Sequence, residues 1–328
     1  MAQLVAAFGS SHSVMLPATL EDWLTRFREA DKRLPYFDRE GKRITFDEVL
    51  ARAPTNAEAL ITPAAITARF NDVQQAMARL KSEIEAAKLD ALVIVGDDQY
   101  ELFHDRLMPA ISIYYGGTIR NAVRKPVAEG DWYRRAQMRR YEESADVHYP
   151  CHASLALHLI EGLTEREFDV TALASLADDQ HEGHAYSFIH RWYLQDQGVP
   201  IVPVFMNTYN PPNPPTPKRC ARFGAELQSL IAEFPGDLRV GILASGGLSH
   251  FVVEEEMDRA ILAALERKDI EYLAGLDPRR LKAGSSEIRN WIVIAAAAMD
   301  LDLYWSSYTP GYRTPALTGT GLAFAAWR

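Results

Sequence analysis

The stretch Leu238-Arg239-Val240-Gly241-Ile242-Leu243, followed by Ala244-Ser245-Gly246-Gly247-Leu248-Ser249-His250, organises the reading of this chain. The apolar run reads as a buried strand bounded by turn residues. Gly246-Gly247 permits a sharp turn where a side chain would clash or where a ligand comes close. Ser249 and His250 then fall just past the carboxyl end of the strand, where open α/β sheets hold their chemistry. Taken alone, the stretch reads equally well as a structural turn with a hydrogen-bonded histidine beside it. Other polar residues repeat the arrangement: His12 follows an N-terminal strand, and Asp97-Asp98-Gln99 follow the run Ala91 to Val95.

The chain has 328 residues, enough for one large α/β domain or two smaller ones with a sizeable core. Hydrophobic residues at 48% and charged residues at 24% are ordinary globular values. A net charge of −9 argues against a nucleic-acid surface, which needs a basic stripe. Arg134-Arg135 and Arg139-Arg140 are followed by Glu142, Glu143 and Asp146, which reads as a solvated helix face. Cys151 and Cys220 are too few for a disulfide framework or a thiolate zinc site, and they suit a reducing compartment. The N-terminus shows no basic region leading into an apolar one, and runs such as Trp291 to Met299 are too short to span a bilayer. The expectation is a soluble, cytoplasmic protein without membrane or nucleic-acid partners.

Outward from the opening stretch, Gln3 to Phe8 reads as a first strand ending in Gly9-Ser10-Ser11-His12. Ala18 to Ala30 carries Leu20, Trp23, Leu24 and Phe27 at helical spacing, with Thr19 as N-cap. Thr62-Pro63 reads as an N-cap with proline in the first helical position. From there to about Ala87, Phe70, Val73, Met77, Leu80 and Ile84 form an amphipathic stripe. Residues 18–89 therefore read as a helical insertion between the first two strands of a single domain covering 1–328. Asp90 to Val95, Pro109 to Tyr115, Phe168 to Thr171 and Ile201 to Asn207 supply further strands. Lys218 to Phe234 reads as a helix leading into the strand before His250.

Three segments hold candidate chemistry beyond His12 and His250. Gly96-Asp97-Asp98-Gln99-Tyr100-Glu101-Leu102-Phe103-His104 gathers oxygen ligands and a histidine after a strand end, although a capping aspartate accounts for part of it. Asp178-Asp179-Gln180-His181-Glu182-Gly183-His184 offers His-x-x-His, which suits a metal or a substrate oxygen and also fits a surface loop. Glu287 opens the helix Ile288 to Met299, where a carboxylate is favoured by the helix dipole in any case. Thr318-Gly319-Thr320-Gly321 lacks the third glycine and following helix of a dinucleotide site.

Ser11-His12, the Asp98-Gln99 turn, Gly246-Gly247-Leu248-Ser249-His250 and Glu287-Ile288-Arg289-Asn290-Trp291 together resemble the class III extradiol ring-cleavage dioxygenases, the superfamily of the protocatechuate 4,5-dioxygenase beta subunit. The resemblance extends in order through Val202-Pro203-Val204, Asn207 and Lys218-Arg219-Cys220. It implies an α/β fold: a central mixed sheet flanked by helices, with the active site at the strand carboxyl ends. It also implies a non-haem Fe(II) centre, or another divalent metal, held by two histidines and a glutamate. His12 would be the first ligand and Glu287 the carboxylate. His250 resembles the acid/base, and His181 or His184 the histidine that contacts substrate. Where the family pattern has Asp-His, this chain has Asp98-Gln99. Gln99 is a poorer ligand than imidazole, so Glu101, or His104 if the loop folds back, is the alternative.

The expected activity is cleavage of a catecholic or related hydroxylated aromatic acid with O₂, with Arg289 or Lys218 meeting a substrate carboxylate. A metal-dependent hydrolase or lyase on the same fold, or a metal-free binding protein, are the rival readings that Gln99 keeps open. The resemblance also implies a homodimer.

Overall fold

The computed structural model describes residues 1–124, 128, 131–195 and 197–328. In chain order the principal elements are β1 (Gln3–Ser10), α1 (Pro63–Ala87), β2 (Ala91–Asp97), β3 (Ile111–Tyr114), α2 (Trp132–Met138) and α3 (Ala153–Glu165). They continue with β4 (Thr171–Leu173), α4 (His184–Ile189), β5 (Ile201–Met206), α5 (Pro217–Glu233), β6 (Arg239–Ser245) and β7 (His250–Val252). The last are α6 (Glu255–Glu266), α7 (Ile288–Ala297), β8 (Leu303–Tyr312) and β9 (Thr318–Trp327).

Among the described residues these strands make one mixed sheet in the order β7-β9-β1-β6-β2-β5-β3-β4, with β8 also paired to β9. β1, β6, β2 and β5 run parallel. Their side chains are buried on both faces, as the near-continuous apolar runs require. One face packs against α3, α5, α6 and α7. The other packs against α1 and α4. The result is a helix–sheet–helix sandwich whose parallel strands open at one edge.

α1 starts where its sequence says it should. Thr62 Oγ1 accepts the Ala65 N–H at 3.3 Å, with Pro63 in the first turn. Ile66, Val73, Met77, Leu80 and Ile84 are buried along one face of it. Thr19 also caps as expected, accepting the Asp22 N–H at 3.2 Å. The stretch that follows is a wide turn, Asp22–Arg26, and a short helix, Phe27–Asp31, so the insertion is not one continuous helix there. It also contains a small hairpin, Tyr36–Phe37 with Arg43–Ile44. The C-terminal hairpin of β8 and β9 has no counterpart in the sequence reading. Ala323, Ala325 and Ala326 are small, and the alternation that marks a strand is lost where both faces are covered.

A buried ion pair fastens the insertion to this hairpin. Arg313 Nε donates to Asp31 Oδ2 at 3.0 Å, its terminal nitrogen lies 3.0 Å from Oδ1, and the Thr318 hydroxyl donates to the same carboxylate. Burial pushes the Asp31 carboxyl up, opposed by Arg313 and Thr318. Removing one partner leaves an uncompensated buried charge, which typically costs about 3–5 kcal/mol. Arg313→Met should therefore lower stability by about that amount in urea unfolding at pH 7. Adding Asp31→Leu should recover much of the loss; an equal deficit in the double variant would show that the pair itself is not the cause.

Candidate active site

The site forms where β1, β6 and β2 end side by side. His12 lies two residues past β1, Asp97 is the last residue of β2, and Ser245 is the last of β6. His250 opens β7, His184 opens α4, and Glu287 immediately precedes α7. α7 grips the turn after β6: Asn290 Nδ2 donates to the Ser245 carbonyl and Trp291 Nε1 to the Gly246 carbonyl, each at 2.8 Å. Gly247 N–H donates to Glu287 Oε2 at 2.7 Å. The glycine here is required by space: a Cβ on Gly247 would lie 2.4 Å from the His250 ring. Tyr100 and Phe251, directly after Gln99 and His250, adopt φ of 61° and 65°, a region unfavourable to such side chains.

Hydrogen bonds settle the imidazole orientations. Ser245 Oγ donates to the Ala185 carbonyl at 2.7 Å, so its lone pair must accept from His12 Nδ1–H at 3.0 Å. His184 Nδ1–H donates to Glu101 Oε2 at 2.7 Å. Both outer nitrogens are thus committed as donors, and the two Nε2 atoms face one another at 3.2 Å. Two lone pairs in that position need a proton or a cation between them. His12 Nε2 also lies 3.6 Å from Asp97 Oδ1 and 3.4 Å from Glu287 Oε2. Asp97 Oδ1 is buried and has no hydrogen-bond partner among the described residues. His12, Asp97 and His184 each offer a ligand atom, all within 4.8 Å of one another. This donor set fits a divalent metal.

The charges agree with that fit. Burial pushes the Asp97 carboxyl up, and the nearby Glu287 carboxylate pushes it further. Burial would also raise Glu287, but His250, His12 and the Gly247 N–H outweigh it and hold the carboxyl low. Two carboxylates in one dry pocket repel, and a cation between them relieves the conflict. Glu101 sits behind His184. Its burial is overcome by the imidazole and by the Tyr141 hydroxyl, which donates at 2.7 Å, so it stays well below the usual carboxylate range. His250 Nδ1–H donates to the Leu248 carbonyl at 2.9 Å, leaving Nε2 as the free nitrogen, 3.6 Å from Glu287 Oε2.

Comparison with known proteins identifies the family. The model of the catalytic LigB subunit of aromatic ring-opening dioxygenase matches residues 67–321. The chain belongs to this family. A 2,3-dihydroxyphenylpropionate/2,3-dihydroxicinnamic acid 1,2-dioxygenase of Comamonas testosteroni is 26% identical over 180 residues, 54% of this chain and 48% of that enzyme. A gallate dioxygenase of Pseudomonas putida is 35% identical over 104 residues, 31% of this chain and 29% of that enzyme. The chain thus spans about half the length of the first relative and under a third of the second. In the ring-opening dioxygenase match, Asp97, His184, His250 and Glu287 lie inside the matched segment, whereas His12 precedes it.

His12, His184, His250, Gln99 and Glu287 all line one cavity of about 100 Å³, together with Tyr133, Tyr209 and others. Gln99 donates through its amide to Asp97 Oδ2 at 3.0 Å and Glu287 Oε1 at 3.5 Å. Glu101, expected among the metal ligands, instead bonds the far nitrogen of His184. His104 is exposed, on the far side of the Tyr100 turn, and its ring stacks on Tyr100. His181 lines an adjoining basin, where burial and then Arg124 push its imidazole down to about 4. Arg289 spends its guanidinium on the Pro215, Thr208, Leu281 and Ser286 carbonyls, and Lys218 is exposed outside the cavity. Asp97 is the ligand candidate that sequence reasoning passed over. Among the described residues, no helix is long and apolar enough to cross a membrane.

The turn carrying His250 is anchored by Asp258, which accepts Ser249 N–H at 2.9 Å, Ser249 Oγ–H at 2.6 Å and Tyr308 O–H at 2.7 Å. Burial nonetheless pushes Asp258 up to about 6 from its ordinary 3.8. The fold therefore favours the protonated carboxyl: its contribution to stability is complete below 3.8 and is lost as pH rises through about 6. Asp258→Asn should flatten the fall in stability across that window, measured by urea unfolding at a series of pH values. An unchanged slope would assign the titration elsewhere.

Proposed function

We propose that the protein is a metal-dependent ring-cleaving dioxygenase of the extradiol type, acting on a catecholic aromatic acid with O₂. The observation that carries this reading is the gathering of ligand atoms from His12, His184 and Asp97 within 4.8 Å of one another, with Glu287 Oε2 3.4 Å from His12 Nε2 and both outer imidazole nitrogens held as donors. Membership of the ring-opening dioxygenase family supports it, as do relatives named as a 2,3-dihydroxyphenylpropionate/2,3-dihydroxicinnamic acid 1,2-dioxygenase and a gallate dioxygenase. We take residues 1–328 as one such domain, with 18–89 inserted in it.

In this reading Fe(II) would be held by His12 and His184 together with the carboxylates of Asp97 and Glu287. His184 takes the place of the histidine that Gln99 replaces. An ion there supplies Lewis-acid polarisation of the catechol and the redox chemistry that ring opening by O₂ requires. The protein's own side chains do the rest. His250 Nε2, free and facing the cavity, accepts the proton of a substrate hydroxyl, while its Nδ1–H bond to Leu248 keeps the ring from turning away. Ser245 and Glu101 hold His12 and His184 from behind, so neither imidazole has to reorganise when a ligand binds. The small, mostly buried cavity excludes bulk water from the reacting ring.

The paired carboxylates also suit metal-assisted hydrolysis or a lyase step, and oxygen consumption separates these from ring cleavage. The first test is metal content of anaerobically purified protein. Wild type should carry iron near stoichiometry, and His12→Ala and His184→Ala should each lose it. Glu101→Gln should weaken metal binding by roughly 10–100-fold. His250→Gln should keep its metal but lose about 10²–10⁴-fold in kcat for oxygen uptake with catechols. If wild type binds no metal even after anaerobic reconstitution, the reading fails; if it binds metal and turns over substrate without consuming oxygen, the hydrolytic alternative replaces it.

A further inference from the structure

Beside the small metal-site cavity lies a second cavity of about 580 Å³, and the two share Gln99, Gln137, Arg140 and His184 in their walls. The smaller space, at about 100 Å³, has room for little more than one aromatic ring. A substituent on a ring bound there has the larger basin directly beyond Gln99, Gln137, Arg140 and His184.

The basin is basic, although the chain carries −9 overall. Four arginines line it: Arg120, Arg124, Arg134 and Arg140. Arg120 is committed, donating to the Asp178 and Gln180 carbonyls and facing Asp146 at 3.7 Å. Of the acidic residues in the same wall, Glu101 is spent on His184 and Tyr141, and Asp146 also accepts the Val123 N–H. With Arg120 set against Asp146, what remains among the described residues is three arginines against two carboxylates, Asp179 and Glu101, the latter buried behind His184. Arg124 lies over the Tyr141 ring, 4.2 Å from guanidinium to centroid. Arg140 makes one weak bond, from Nε to the Gln137 carbonyl at 3.4 Å, and its terminal nitrogens have no acceptor among the described residues. The Arg134 side chain, exposed at the rim, has none either.

We propose that this basin recognises the anionic substituent of the substrate, with Arg140, at the junction of the two cavities, as the residue that pairs with its carboxylate. Arg124 and Arg134 raise the local positive potential and draw the anion in. The inference rests on the ring-cleavage reading for the placement of the ring, and it deepens that reading by naming the residue that selects the acid group. A guanidinium offers two parallel donors to a carboxylate, which gives orientation as well as attraction and would point the ring edge toward His12 and His250.

The test compares binding of 3,4-dihydroxybenzoate and its methyl ester to the anaerobic metal-loaded protein by calorimetry, with 3-phenylpropionate as an acid that lacks the diol. Wild type should prefer the acid over the ester by about tenfold or more at low salt, with the preference shrinking as salt is added. Arg140→Gln should cut the preference to within about twofold and abolish 3-phenylpropionate binding while metal content is unchanged; Arg140→Lys should restore part of it. Equal affinity for acid and ester in wild type would overturn the proposal, as would a preference that survives in Arg140→Gln. Because 3-phenylpropionate cannot chelate through a diol, its Arg140-dependent binding supports the proposal even if no catechol is consumed, in which case only the ring-cleavage reading falls. Oxygen uptake on catechols without any acid preference removes the anion site alone.

Discussion

Two imidazole nitrogens are held 3.2 Å apart with their lone pairs toward each other, and the surrounding structure keeps them so. Left to itself, either ring would turn to relieve the contact. His12 is prevented by Ser245, whose own proton is committed to the Ala185 carbonyl, and His184 by the Glu101 carboxylate. These restraints come from distant parts of the chain: Ser245 ends β6, Ala185 lies in α4, and Glu101 follows the turn after β2. The sheet register that puts Ser10 opposite Ser245 and Ala244 opposite Val95 is what brings them together. Buried polar groups arranged this way are unfavourable without a central positive charge and well satisfied with one.

The strand ends are legible in the sequence because parallel strands buried on both faces read as unbroken apolar runs, and polar residues after such runs stand out. His12, Glu287 and His250 are visible on that ground together with the family resemblance. Asp97 is harder to see, because the strand runs on through Gly96 and Asp97 instead of stopping at Val95. That extension puts Asp97 in the site and leaves Asp98 to cap the turn, accepting the Leu102 and Phe103 N–H groups. The choice between His181 and His184 is closed to spacing arguments. Helix α4 begins at His184 and carries it to Glu101 and His12, while His181 stays in the preceding loop. The last strand, β9, is illegible for a simpler reason: its alanines and glycines lack the bulk that marks a strand, whereas Tyr304, Trp305 and Tyr308 of β8 are strand formers that the sequence reading did not take up.

In the proposed function, the same turn sets the candidate acid/base apart from the candidate metal ligands. His250 shares Glu287 with His12, yet its Nδ1 is tied to a backbone carbonyl two residues away and not to a side chain that could itself titrate. Its position follows from Gly247 and Gly284, both of which would clash with the ring if they carried a Cβ. A proton can therefore move at Nε2 while the ring stays seated between two stretches of backbone.

Gln99 then looks less like a lost ligand than a different solution. A neutral imidazole at this position would offer one donor and one lone pair, whereas the amide nitrogen offers two donors. Those donors reach Glu287 and Asp97, the latter a carboxyl that burial and the Glu287 charge push up. A neutral donor bridging them lowers the cost of keeping both near one cation, and a site with an extra carboxylate needs that more than it needs a third imidazole. The amide also lines both the ring-sized cavity and the arginine-lined basin, where it adds no charge to compete with Arg140 for an anion. One substitution thus bears on the charge balance of the centre and on the polarity of the route into it.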